Sequence, residues 1–318
     1  MSDPLPINEI ITKLQEAISV EKRALIVAPP GAGKTTIIPL KLLDNRNIAG
    51  QIIVLEPRRL AARAAASQMA ALLNEPVGET VGFQIKGLNK VSKQTRIVVI
   101  TEGILIRMIQ SDPSLSKVGC IIFDEFHERS INADLGLALS LQLAEVLRND
   151  LKIIVMSATL DVGPVSDLLD TRAPIISEGR AYHVECEYLS RPESKNEDLW
   201  GNFSELVSNA FEMTDGGILA FLPGEAEIKT TAKLLKEKLP KTAIIMPLYG
   251  SLPFDQQLKI LKPIQNKNLR KVVLSTSIAE TSLTISDIKV VVDSGYTRRS
   301  LYDPGSGMSR LITQKISR

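Results

Sequence analysis

Short apolar runs rich in Val and Ile recur along the chain, separated by segments whose apolar positions return at helical spacing. Ala24–Ala28, Gln51–Leu55, Arg96–Thr101, Val118–Asp124, Lys152–Ser157 and Pro174–Ser177 read as strands. Their hydrophobicity is continuous rather than alternating, which predicts strands buried on both faces, as in a parallel sheet. Leu60–Asn74 and Asn132–Leu147 have helical length and periodicity. Strand and helix in alternation make a βαβ series, hence a doubly wound α/β domain.

A polar stretch over Leu189–Asp198 reads as surface loop or linker. A second strand series follows at Gly217–Leu222, Ala243–Leu248, Lys271–Thr276 and Lys289–Asp293, again with helices between. The expectation is two tandem α/β domains with mostly parallel sheets, spanning 1–178 and 179–318. Past Ser294 the pattern changes. Tyr296–Tyr302, a Pro-Gly-Ser-Gly turn at Pro304–Gly307 and Met308–Thr313 read as a β-hairpin.

Composition narrows the class without naming it. A chain of 318 residues with 44% hydrophobic and 23% charged residues is ordinary for a folded protein of two domains. A net charge of +2 does not announce nucleic-acid binding, so any basic surface has to be local. No apolar run approaches the ~20 residues of a membrane helix, and the start of the chain lacks a signal-peptide pattern. Cys120 and Cys186 have no metal-ligand spacing and are expected to be buried thiols, which suits a reducing cytoplasm.

The first strand runs into Ala28-Pro-Pro-Gly31-Ala32-Gly33-Lys34-Thr35-Thr36 and then a helix. The Gly-Lys-Thr ending is that of a phosphate-binding loop, although Ala28 stands where the first Gly is usual. Gly31 and Gly33 let successive N–H groups turn toward one anion, reinforced by the helix N-terminus. Lys34 can reach the β- and γ-phosphates, and Thr35 offers a hydroxyl to Mg²⁺. The competing reading is an ordinary strand-to-helix turn with a surface lysine. A later strand ends in Asp124-Glu125-Phe-His127. In a parallel sheet such an end delivers its carboxylates to the ligand crevice. Asp124 and Glu125 are candidates to hold Mg²⁺ and to orient and deprotonate an attacking water; the alternative is a solvated acidic pair. His127 has no second His or Cys beside it, so a coupling role is favoured over metal ligation, and His183 reads as structural.

With Asp-Glu-x-His in place, the chain resembles the DEAH/RHA helicases of superfamily 2, in a spelling most similar to bacterial members. Leu55-Glu-Pro-Arg-Arg-Leu-Ala-Ala62, Thr101-Glu-Gly103, Ser157-Ala-Thr159, Phe221-Leu-Pro-Gly-Glu-Ala-Glu-Ile228 and the Lys271–Ile285 block are similar to motifs Ia, Ib, III, IV and V. The resemblance implies tandem RecA-like domains, ATP and Mg²⁺ as cofactors, and single-stranded nucleic acid, chiefly RNA, as partner. It implies that Arg58, Arg59, Lys86, Thr101, Gly224 and Thr276 grip the nucleic-acid backbone, a largely sequence-independent mode. It also implies that His127, Ser157, Thr159, Ser277, Glu280 and Thr281 couple nucleotide to lobe movement. The hairpin resembles one thought to separate or retain strands; a plain sheet-edge ribbon is the other reading.

Three departures qualify the resemblance. Ser277 stands where Asn is usual, implying altered coupling. Gln68 and Leu261 replace an Arg and a Phe that sandwich adenine, so other nucleoside triphosphates are expected to serve. No Gln-Arg-x-Gly-Arg-x-Gly-Arg motif occurs in these residues. The chain stops where that motif should begin, which reads as a truncation that also removes the family's C-terminal domains. Nucleotide binding with poor hydrolysis and unwinding is therefore expected, with a nucleotide-dependent binding module lacking motor activity as the alternative.

Overall fold

A computed structural model describes residues 6–159, 163–171, 173–179, 183–189, 198–280 and 285–316. The chain divides into two compact units, Met1–Val184 and Glu185–Arg318. The division thus falls slightly later than the break after residue 178 drawn from composition.

In the first unit the strands are β1 (Arg23–Val27), β2 (Gln51–Glu56), β3 (Val81–Ile85), β4 (Leu88–Lys90), β5 (Ile97–Thr101), β6 (Val118–Phe123), β7 (Lys152–Ser157) and β8 (Ile175–Ile176). The helices are α1 (Ile11–Val20), α2 (Lys34–Leu42), α3 (Arg59–Leu72), α4 (Glu102–Ser111), α5 (Ile131–Val146) and α6 (Gly163–Leu169). The sheet order is β4-β3-β5-β2-β6-β7-β1-β8, parallel throughout except for β4 on β3.

Continuous apolar strands are what such a sheet requires, because successive side chains go to opposite faces. Ala24, Ile26, Ile52, Val54, Cys120, Ile122, Ile154 and Met156 pack on one face with α1, α2 and α3. Leu25, Val27, Ile53, Leu55, Ile121, Phe123, Ile153 and Val155 pack on the other with α4 and α5. Gly136 of α5 lets that helix lie close to the sheet, since a Cβ there would meet Leu105 at 3.3 Å and Phe123 at 3.5 Å.

The second unit has α7 (Leu199–Met213), β9 (Gly217–Phe221), α8 (Glu225–Lys238), β10 (Ala243–Leu248), α9 (Phe254–Leu261), β11 (Arg270–Ser275) and β12 (Ile288–Asp293). Its parallel sheet runs β10-β11-β9-β12 over a core that includes Phe203, Val207, Ile218, Ile228, Val272 and Leu274. Glu225 and Glu227 in the first turn of α8, with Lys236 and Lys238 in its last, complement the helix dipole. β13 (Tyr296–Asp303) and β14 (Met308–Lys315) form the expected antiparallel hairpin, Tyr296 facing Lys315 and Asp303 facing Met308.

The cysteines need one correction. Cys120 is buried in β6, but Cys186 is exposed. Residues 183–189 join no sheet and lie on the surface, so the strand-like spelling there buries nothing. His183 lies in the same exposed segment. Of the expected polar linker, residues 190–197 lie outside the described residues.

Candidate functional site

Register alone gathers the candidate residues of the first unit. Val27 pairs with Ser157, Phe123 with Val155, Leu55 with Phe123 and Glu56 with Thr101, so five parallel strands finish along one edge of the sheet. Everything that follows those ends projects from the same side, where ligands of open α/β sheets bind.

Between β1 and α2, Gly31 and Gly33 have φ of 79° and 91°, values that glycine adopts without strain. A Cβ at Gly31 would meet nothing within 4 Å, so the loop faces open space. Ala32 is buried between them and anchors the turn. Gly33 is the N-cap of α2 and offers no side-chain acceptor, which leaves the first N–H groups of the helix directed outward for an anion. Thr36 points inward, its Oγ1 3.5 Å from Gly33 O.

Lys34 and Glu125 are both buried, and Lys34 Nζ lies 3.2 Å from Glu125 Oε1. The Thr35 hydroxyl donates to Asp124 Oδ2, while Glu125 N donates to Asp124 Oδ1 at 2.8 Å. Burial and the adjacent Glu125 carboxylate push the Asp124 carboxyl up to about 6, against the pull of Lys34 and Thr35. Glu56, at the end of β2, is buried as well. Burial raises its carboxyl well above the ordinary value, and the charges of Asp124 and Glu125 add to this. Its Oε2 has no hydrogen-bond partner. Three buried carboxyl groups thus stand beside one ammonium. Hard oxygen donors of this kind suit Mg²⁺, which is usually held by one or two carboxylates together with substrate phosphates. Among the described residues, no His, Cys, Asp and Glu side chains form a cage of three or more that would hold a metal by themselves.

Glu125 has φ 49° and ψ 35°, an uncommon backbone conformation for a non-glycine residue and one that clusters at functional positions. It opens a short turn, Phe126–Glu128, that carries His127. His127 Nδ1 lies 3.4 Å from Glu125 Oε2 and accepts from Ala158 N at 3.3 Å. A nitrogen that accepts from Ala158 cannot also donate to Glu125, so this tautomer touches the carboxylate without a hydrogen bond. Ser157 Oγ contacts Thr159 O at 3.1 Å and receives Thr159 N at 3.2 Å. The expected coupling residues of this unit therefore adjoin the acid pair through His127.

The expected backbone-gripping residues are more dispersed. Arg58 is the N-cap of α3 and pairs with Glu128 at 3.4 Å, while Arg59 begins the helix and is exposed. Lys86 is exposed in the turn between β3 and β4, and Thr101 is the N-cap of α4. In the second unit, Gly224 caps α8 but is buried beneath Arg298, whose guanidinium a Cβ would meet at 2.6 Å. Thr276 N donates to Leu248 O at 3.2 Å, and Ser277 and Glu280 are exposed beyond it. Thr281 lies outside the described residues. Gln68 is exposed on α3, and Leu261 ends α9.

Residues 8–168 match the DEAD/DEAH box helicase family, and residues 201–318 match the helicase conserved C-terminal domain. The chain belongs to the DEAD/DEAH box helicases. Within them it is 45% identical to the ATP-dependent RNA helicase HrpB of Escherichia coli over 313 residues, 98% of this chain and 38% of that protein. It is 35% identical to the human ATP-dependent RNA helicase DHX33 over 99% of this chain and 46% of that one. The crystal structure of E. coli DEAH/RHA helicase HrpB superposes with a TM-score of 0.91, covering 98% of this chain and 40% of that chain. The match with that DEAH/RHA helicase extends over both units, whose folds are RecA-like. The chain spans less than half the length of these helicases.

Some residues that shape this site were not singled out by the sequence. Glu56 closes an apolar run ahead of Pro57-Arg58-Arg59, Glu128 follows the acid pair by three residues, and Arg298 lies in the hairpin. Arg298 Nη2 bonds Glu227 Oε1 at 2.9 Å across 71 residues. Nothing in local spacing marks such partners.

Proposed function

We propose that this chain is the ATPase core of an RNA helicase, coupling nucleoside triphosphate hydrolysis to movement on, or remodelling of, single-stranded RNA. The observation that carries the reading is the meeting of Lys34, Thr35, Asp124 and Glu125 beside an open glycine loop. The amides at the start of α2 would bind the phosphates, with Gly31 to Thr36 forming the cradle. Lys34 would turn from Glu125 to the β- and γ-phosphates. Thr35 and Asp124, with Glu125 beside them, would hold Mg²⁺, which when bound supplies positive charge against the phosphate oxygens. Glu125, released from Lys34, would orient the attacking water and take its proton.

Arg58, Arg59, Lys86 and Thr101 of the first unit, with Gly224 and Thr276 of the second, would contact the sugar–phosphate backbone. Arg298 over Gly224 adds a cation to that set. His127, Ser157, Thr159, Ser277, Glu280 and Thr281 would couple nucleotide state to movement. Gln68 and Leu261 offer no planar stack for a base, which favours use of nucleoside triphosphates besides ATP. Among the described residues no helix is long and apolar enough to cross a membrane, and the reading places the protein in the cytoplasm. A nucleotide-dependent RNA-binding module without motor activity is the second reading. It is favoured by the want of an arginine-rich motif VI in these residues, which would leave them slow at turnover.

Turnover of ATP, measured with RNA, with DNA and with neither, tests the proposal alongside Glu125→Gln. The parent is expected to hydrolyse ATP faster with RNA. The variant should lose about 10²-fold or more in rate while still binding nucleotide. Equal turnover in parent and variant would sink the enzymatic reading.

A further inference from the structure

The turn after the acid pair touches three other parts of the first unit. Glu128 Oε2 lies 3.4 Å from Arg58 Nη2 at the start of α3. Ser130 Oγ donates to Glu102 Oε2, at the start of α4, and caps α5 by accepting from Ala133 N at 3.0 Å. His127 faces Glu125 and Ala158. The turn is bounded by Glu125 and Arg129, both with left-handed φ, 49° and 47°. Beside it lies a hollow of about 180 Å³ lined in part by Phe126, His127, Arg129, Ser157 and Thr159.

The contact with Glu128 is made by Nη2 of Arg58, and the N–H that faces the carboxylate cannot serve a phosphate oxygen at the same time. An RNA phosphate that takes Nη2 therefore competes with Glu128, while one that binds the other N–H groups does not. A displaced Glu128 cannot turn freely toward Glu102, since that acid is already half-buried and holds Ser130. Left-handed φ at both ends is the kind of conformation that clusters at switch regions, and a hollow adjoins the turn.

We infer that Glu128 is a positioning residue that holds Arg58 in reserve, and that an RNA phosphate displacing it shifts the turn carrying His127 against Glu125. The ion pair would then be the part through which RNA changes the hydrolytic carboxylate. The inference rests on the reading that Arg58 grips phosphate, and gives that contact a consequence at the nucleotide.

The test uses the full-length protein, with a fluorescent single-stranded oligouridylate as probe and ATP turnover as second readout. Four forms are compared: the parent, Glu128→Gln, Arg58→Ala and the double variant. With the competing carboxylate removed, Glu128→Gln should lower the half-stimulating RNA concentration by about two- to fivefold, the range expected for a partly exposed ion pair. Its RNA-free turnover should rise, so that the stimulation ratio shrinks. In the Arg58→Ala background the same substitution should change neither quantity. Should Glu128→Gln fail to fold, Glu128→Asp, with its carboxylate drawn back by one methylene, should move both readouts in the same direction by less.

An unchanged or higher half-stimulating concentration in Glu128→Gln overturns the proposal. So does an equal gain in the Arg58→Ala background, which would mark a general charge effect. A parent that binds no RNA removes the functional reading and this inference together. A parent that RNA stimulates, matched by Glu128→Gln, removes the inference alone.

Discussion

Burial and the Glu125 carboxylate hold Asp124 about 2 pH units above an ordinary aspartate, at about 6 against 3.8. The folded protein thus favours the protonated acid. Stability from this group is fully present below about pH 4 and is lost as pH rises through about 6. A displacement of that size, with the opposing pull of Lys34 and Thr35 already included, corresponds to roughly 3 kcal/mol. In melts with the divalent ion chelated, Asp124→Asn should gain on the parent as pH goes from 4 to 7. Added Mg²⁺ should narrow that gap by stabilising the parent. A gap independent of pH would show that Asp124 is not strained by its neighbours. Glu56 belongs to the same account. Its carboxyl is fully enclosed and also raised, so a proton shared among these acids is the cheapest way to keep them together.

At the scale of elements, the hairpin shows how a side chain ties a two-stranded ribbon to a helix of its unit. β13 and β14 pair over their full length but join neither parallel sheet. Arg298 ties β13 to the first turn of α8 through Glu227 at 2.9 Å, and its Nε meets Thr313 on the partner strand at 3.3 Å. Arg298→Ala should therefore quicken limited proteolysis at the Gly305–Gly307 turn severalfold, with the helical signal of α8 unchanged. Equal cleavage rates would mean that the ribbon holds itself.

In the first unit the legible strands were those with an unbroken apolar spelling. The runs at β1, β2, β5, β6 and β7 are apolar on both faces, so periodicity exposed them, and the Gly-Lys-Thr and Asp-Glu clusters fall at strand ends for that reason. β3 and β4 were missed. Val81-Gly-Phe-Gln-Ile is broken by a glycine and a glutamine and lies toward the sheet edge, and β4 is exposed throughout. Gly82 is needed because β4 passes close by: a Cβ there would meet Lys90 O at 2.4 Å. The Arg58–Glu128 pair spans 70 residues and leaves no periodic trace in the sequence.

For the molecule as a whole, each unit closes a core of its own. The eight-stranded sheet is covered on both faces by side chains of the first unit, and the second unit packs α7 and α8 on its four strands. Residues 1–184 should therefore fold alone and give one cooperative melt. A nucleoside triphosphate with Mg²⁺ should raise its midpoint by a few degrees at saturating concentration. A molten or insoluble product would refute the independence of the unit.

The placing of the acid pair has a consequence for how this chain acquires its shape. Thr35 and Asp124 stand 89 residues apart, and β6 must be seated between β2 and β7 before they meet. Such distant pairing is slow to form. A nascent chain that has made only the glycine loop and its helix offers an anion cradle with no acid opposite. The proposed hydrolytic site is thus complete only once β6 has been seated, late in the assembly of the sheet.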